Sequence, residues 1–99
     1  MEADAGIARR QVEIVNTYGL HMRPSSRFVK LASSFQSEVW VHFGGRKVNG
    51  KSVLDMTSLA AERGTMLDLE ARGSDAEQAI AALAELVAAG FHMDVEEAG

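Results

Sequence analysis

Gln11-Val12-Glu13-Ile14-Val15-Asn16-Thr17-Tyr18-Gly19-Leu20-His21-Met22-Arg23-Pro24 is the stretch in which the chain changes its period. The first five residues alternate, with Val12 and Ile14 on one face, as a half-buried strand does. Thr17-Tyr18-Gly19 breaks that pattern. From Met22 onward the apolar residues Phe28, Leu31, Ala32 and Phe35 fall at i, i+3, i+4 and i+7, one greasy stripe along a helix. Arg23, Arg27 and Lys30 lie opposite that stripe and face water. A strand, a glycine turn and an amphipathic helix therefore open the domain.

The rest of the chain repeats these two periods. Glu38 to Phe43 alternates, with Val39, Val41 and Phe43 on one face and Trp40 and His42 on the other. Gly44-Gly45 is a hairpin signal, and Arg46 to Asn49 is the short return strand. Ser52 reads as the N-cap of a short helix, with Asp55 standing in for the usual Glu of a capping box. Leu54, Met56 and Leu59 supply that helix's apolar contacts. Met66 to Ala71 alternates again, Leu67, Leu69 and Ala71 inward. Ser74 and Glu77 predict a capping box for a last helix buried through Ile80, Leu83 and Val87. Gly90 stands at the C′ position, with Phe91 placed to fold back over the final turn. The order β-α-β-β-α-β-α predicts an α+β domain of two layers, a sheet with helices on one side. Glu13, Trp40 and Glu70 suit the other face of that sheet as a half-solvated surface.

Composition narrows the function classes. The 99 residues are 46% hydrophobic and 24% charged, the profile of one soluble, folded unit with a single small core. Residues 1–9 read as a flexible leader, 10–91 as the domain and 92–99 as an acidic tail. There are no cysteines, which excludes a disulfide framework and a thiolate zinc site and fits a cytoplasmic protein. No apolar run approaches the ~20 residues of a membrane span. A net charge of −4 argues against nucleic acid as the main partner. The segment from His21 to Lys30 nevertheless carries three cations and no acid, which suits one specific anionic partner.

His21 is where the chemistry concentrates. A glycine turn delivers it to the first position of a helix, where unpaired backbone N–H groups and the positive end of the macrodipole favour anions. Pro24 fits the first turn, which has no intrahelical use for its missing N–H. Arg23 adds a permanently charged fork shaped for phosphate oxygens. The same environment that binds an anion stabilises a transferred phosphoryl group, and a group that must leave again calls for a shallow site.

Gly19-Leu20-His21-Met22-Arg23-Pro24, continued by Phe28-Val29-Lys30, resembles the active-site motif of the HPr family, the histidine phosphocarriers of the bacterial phosphoenolpyruvate-dependent phosphotransferase system. Asn49-Gly50-Lys51-Ser52-Val53-Leu54, followed by Ser58-Leu59, resembles the family's regulatory serine segment. The resemblance runs from Gln11 to Phe91, about four-fifths of the chain. It implies an open-faced β-sandwich, a four-stranded antiparallel sheet with three helices on one face. It implies His21 as phosphoacceptor through Nδ1, Arg23 as its phosphoryl-stabilising partner and Ser52 as a regulatory phosphosite for a serine kinase. Enzyme I would be the donor and IIA-type domains the acceptors, with no cofactor and no metal. Partners would dock on Met22, Arg27, Lys30, Val53 and Leu54, an apolar centre with a basic rim, on a monomer. Asp55 and Thr57 depart from the sugar-branch pattern, and Gly90-Phe91 with its acidic tail is similar to nitrogen-branch paralogues.

Three further readings compete. Ser52 needs no regulatory role to be an N-cap, and a regulatory module of the same fold, phosphorylated at Ser52, is the rival to the carrier. An unrelated two-layer binding domain would require both motif matches to be accidental. His42 on the outer face of a strand and His92 in the tail are not spaced as metal ligands. Trp40 reads as surface packing, and Gly44-Gly45 as a turn without the Lys-Ser/Thr of a nucleotide loop.

Overall fold

The computed structural model describes residues 6–93. The elements are β1 (Ile7–Glu13), α1 (Met22–Ser33), β2 (Glu38–Phe43), β3 (Arg46–Asn49), α2 (Val53–Ser58), β4 (Met66–Arg72) and α3 (Ala76–Ala88), followed by a short turn over Gly90–His92. The four strands form one antiparallel sheet in the order β1-β4-β2-β3. This is the predicted α+β architecture. Val12, Val39, Val41, Val48, Leu67, Leu69 and Ala71 line the buried face, and Phe28, Ala32, Met56, Ile80, Leu83 and Val87 meet them from the helices. Alternation in the strands and the i, i+4 stripe in the helices thus close on one core.

Gly44 and Gly45 make the β2–β3 hairpin, with φ of 59° and 80°, the pair of left-handed residues that a two-residue turn demands. The C-terminal ends of two helices are held by cations from elsewhere in the chain. Lys51 Nζ donates to Phe35 O at 2.9 Å, just past α1, and Arg46 donates to Ser58 O at 2.8 Å, at the end of α2. Both place positive charge where the helix carbonyls are unpaired.

Four expectations need correction. The strand begins at Ile7, so residues 7–9 are paired with Arg72, Ala71 and Glu70 and do not belong to a leader. Arg9 and Arg10 conceal the alternation because β1 is an edge strand whose long cationic side chains reach water. The rest of the leader reading, residues 1–5, lies outside the described residues, as does the tail beyond Met93, while His92 belongs to the closing turn. The N-cap of α3 is Asp75, one residue after the expected Ser74, and no side chain caps it. Asp75 instead accepts from Gln36 N (2.9 Å), Ser37 N (3.0 Å) and Ser37 Oγ (2.5 Å), tying the α1–β2 loop to the start of α3. These bonds hold its carboxyl below the usual range, the Ser37 hydroxyl contributing most. Leu54 supplies no core contact to α2, since it is 77% exposed while Met56 is fully buried.

At the other end, Gly90, Phe91 and His92 all take positive φ, at 63°, 61° and 59°. For the two non-glycine residues this conformation costs about 1–2 kcal/mol each. Full burial of Phe91 offsets it, and Arg27 Nη1 donates to Phe91 O at 2.8 Å and to His92 O at 3.2 Å.

Candidate functional site

The loop from Asn16 to Leu20 is built to fix one residue. Gly19 has φ of 74°, and a Cβ added there would stand 2.5 Å from Ala61 O, so only glycine lets the backbone pass. Leu20 N donates to the same carbonyl at 2.8 Å. Asn16 closes the turn from both sides. Its Nδ2 donates to Gly19 O at 2.8 Å, and its own carbonyl accepts from Gly19 N at 3.2 Å. Leu20 is buried below the loop.

This loop presents His21 as the N-cap of α1, with φ −87° and ψ −164°. Its carbonyl already accepts from Ser25 N at 3.0 Å, while Ser25 Oγ reaches back to Leu20 O at 3.4 Å. The imidazole is half-buried and makes no cap bond to the helix. Its Nε2 is buried without a hydrogen-bond partner. Tyr18 stands edge-on to the ring, 6.3 Å between centroids and 80° between planes. The first turn of α1 holds no acidic residue, so no carboxylate of the helix's own first turn neutralises its positive end. Pro24 is buried in that turn and Arg23 lies exposed beside it. The arrangement suits a transient anion on the ring: half-open, electropositive and held by backbone rather than by mobile side chains.

Around it, Met22 and Leu54 are 58% and 77% exposed, large apolar side chains on the neighbouring helices α1 and α2. Lys30 is exposed and Val53 half-buried. Arg27, expected in water on the same rim, turns its Nη1 to the carbonyls of Phe91 and His92. Ser52 Oγ accepts from Asp55 N at 3.2 Å as an N-cap should. Asp55 does not complete the box. Its carboxylate accepts from Asn49 N at 3.1 Å, because Ser52 N is already taken by Asn49 O.

The open face of the sheet carries a second cluster. Glu70, only 4% exposed at its side chain, is held by Arg72, by His42 Nε2 at 2.8 Å and by Arg9 at 3.9 Å. The Arg72 hydrogen bond, helped by His42 and opposed by burial, lowers its carboxyl to about 2. Trp40 Nε1 donates to Glu38 at 3.2 Å, and Lys47 Nζ lies 4.6 Å from the Trp40 ring centre. This face is therefore covered by charge pairing and by a cation over an aromatic ring. Among the described residues no group of three or more His, Asp or Glu is placed to hold a metal ion, and no helix is long and apolar enough to cross a membrane.

Residues 8–89 match the family model described as PTS HPr component phosphorylation site. The chain belongs to the HPr family. The phosphocarrier protein HPr of Neisseria meningitidis is 44% identical over 79 residues, which cover 80% of this chain and 89% of the relative. The HPr-like protein Crh of Bacillus subtilis is 38% identical over 81 residues, 82% and 95% of the two chains. The solved HPr of Thermoanaerobacter tengcongensis superposes with a TM-score of 0.84 at 40% identity, covering 89% of this chain and 99% of its own. Membership places the chain among the phosphocarriers of the phosphotransferase system, with an open-faced β-sandwich, and with the enzymes of that system as the general class of partner.

Two residues of the site were missed by the reading of the sequence. Asn16 carries a usable signal, an asparagine at the first and a glycine at the fourth position of a β-turn. Tyr18 carries none, since its ring meets His21 only after the loop has folded.

Proposed function

We propose that the chain accepts a phosphoryl group on Nδ1 of His21 from enzyme I and passes it to IIA-type domains, in sugar uptake or its regulation. The observation that carries this reading is the burial of Nε2 without a partner at an acid-free helix N-terminus. With that nitrogen sequestered, Nδ1 is the atom that can meet a donor. In the transfer the Nδ1 lone pair forms an N–P bond as the donor's bond to phosphorus breaks, and the leaving electron pair returns to the donor. Arg23 and the helix N-terminus stabilise the phosphoryl oxygens. The carrier adds no turnover chemistry of its own; proximity of two paired sites sets the rate.

Met22, Val53 and Leu54 form the apolar centre of the docking surface, with Lys30 and the charge of Arg27 at its rim, for an acidic partner. The domain comprises the described strands and helices, works as a monomer in the cytoplasm and presents one surface to successive partners. His21→Ala abolishes acceptance of phosphate from enzyme I and leaves the circular-dichroism spectrum and melting unchanged. Wild-type acceptance in that variant would discard the assignment. Arg23→Ala slows transfer, and unchanged kinetics would remove Arg23 from the mechanism.

Ser52 supports a regulatory reading beside this one. Its hydroxyl sits at the N-terminus of α2 next to the exposed Leu54, so a phosphate there places a dianion on the docking surface and repels an acidic partner. Incubation with ATP and a cognate serine kinase, followed by mapping, is expected to modify Ser52 and slow transfer without unfolding. Modification elsewhere, or transfer at the old rate, would end that reading.

A further inference from the structure

Asn16 is almost wholly buried, at 3% exposure, in the loop that carries His21. Its amide orientation is fixed by chemistry. Gly19 O can only accept, so the group 2.8 Å from it is Nδ2–H, and the opposite atom is the carbonyl oxygen Oδ1. That oxygen is buried with no partner, and so is Nε2 of His21. The two are the orphaned side-chain polar atoms among the described residues, and they lie five positions apart in one loop. A buried unpaired polar atom is costly enough that each one calls for a reason. Here one atom is an acceptor, and the other becomes a donor whenever the ring proton resides on Nε2.

Phosphoryl transfer requires that tautomer. For Nδ1 to attack with its lone pair, the proton must sit on Nε2. As the N–P bond forms and the donor's bond breaks, positive charge builds on the ring while the proton stays on Nε2. A buried, increasingly charged N–H without an acceptor would oppose the reaction, because hydrogen bonds to charged groups matter most. We propose that Asn16 is a positioning residue for His21, its Nδ2 pinning Gly19 and its Oδ1 accepting the Nε2–H as phosphoryl transfer proceeds. The pair is open in the unphosphorylated chain and closes as charge develops. This inference rests on the reading of His21 as the phosphoacceptor.

The test uses the full chain, phosphoramidate as a small donor that needs no partner protein, and nitrogen-15 NMR of the histidine rings. The wild type is expected to form phosphohistidine at His21 with an Nε2–H signal protected from exchange. Asn16→Ala should phosphorylate about tenfold more slowly, the loss of one such hydrogen bond, and should lose that protected signal. Asn16→Asp keeps an acceptor oxygen but cannot donate to Gly19, so it should regain the Nε2–H signal. Asn16→Ser, too short to reach the ring, serves in place of the alanine variant if that one fails to fold. A folded Asn16→Ala or Asn16→Ser protein with wild-type rate and wild-type Nε2 shift would overturn the inference alone. Absence of phosphohistidine in the wild type would overturn it together with the reading beneath it.

Discussion

Gly19→Ala separates two ways in which a glycine can be required. At φ 74° any side chain costs about 1–2 kcal/mol in backbone strain. The new Cβ would also meet Ala61 O at 2.5 Å, where ordinary contact begins at 3.4 Å. Relief requires the Asn16–Leu20 loop to withdraw from Ala61, which breaks the 2.8 Å bond from Leu20 N and costs about another 1 kcal/mol. The total is about 2–3 kcal/mol, or roughly 8–24 °C in Tm for a domain of this size. Gly44→Ala is the matched control. Its φ is 59°, yet nothing lies within 4 Å of the added Cβ, so only the strain of about 1–2 kcal/mol applies. Urea unfolding followed by circular dichroism gives both values. Gly19→Ala should lose at least ~1 kcal/mol more than Gly44→Ala and should slow phosphorylation, since the loop that delivers His21 has moved. Equal losses in the two variants would refute the close-approach argument.

Glu70 makes stability depend on acid. Its carboxyl lies near 2 in the folded chain against an ordinary 4.5, so its contribution is complete above about 4.5 and is lost as pH falls toward 2, with an upper bound of roughly 3–4 kcal/mol that salt and the exposure of Arg9 and Arg72 reduce. Denaturation between pH 5 and 2 should show this slope and Glu70→Gln should flatten it; identical slopes would place the pH dependence elsewhere. Asp75→Ala should lower Tm by releasing Gln36 and Ser37, whereas Ser74→Ala should stay within about 0.5 kcal/mol of wild type; the reverse order would restore Ser74 as the cap. Arg27→Met keeps the aliphatic stem but frees two carbonyls, so amide exchange at Phe91–Met93 should accelerate and stability fall by about 1–2 kcal/mol; unchanged exchange would show that burial of Phe91 alone holds the turn.

The fold was legible because two periods alternate cleanly along the chain and glycines punctuate them. The edges were harder to read. Arg9 and Arg10 disguise the start of β1 because an edge strand with one open face can carry cations without penalty. Ser74-Asp75 offers two capping residues in a row, and only the packing of the α1–β2 loop selects Asp75. Leu54 reads as core from its residue type alone, although α2 is too short to bury more than one face. Within the site, His21, Arg23 and Pro24 were visible because helix N-termini have sequence signatures. The partners of Glu70 come from three different strands, and the edge-on contact of Tyr18 depends on loop geometry. Neither has a local signature.

The central claim is tested most directly by incubating the chain with phosphoenolpyruvate and enzyme I and mapping the adduct. The account predicts one acid-labile, base-stable phosphate on His21, absent from His21→Ala. A folded wild-type chain that acquires no phosphate, or acquires it at His42, His92 or Ser52 instead, would contradict it.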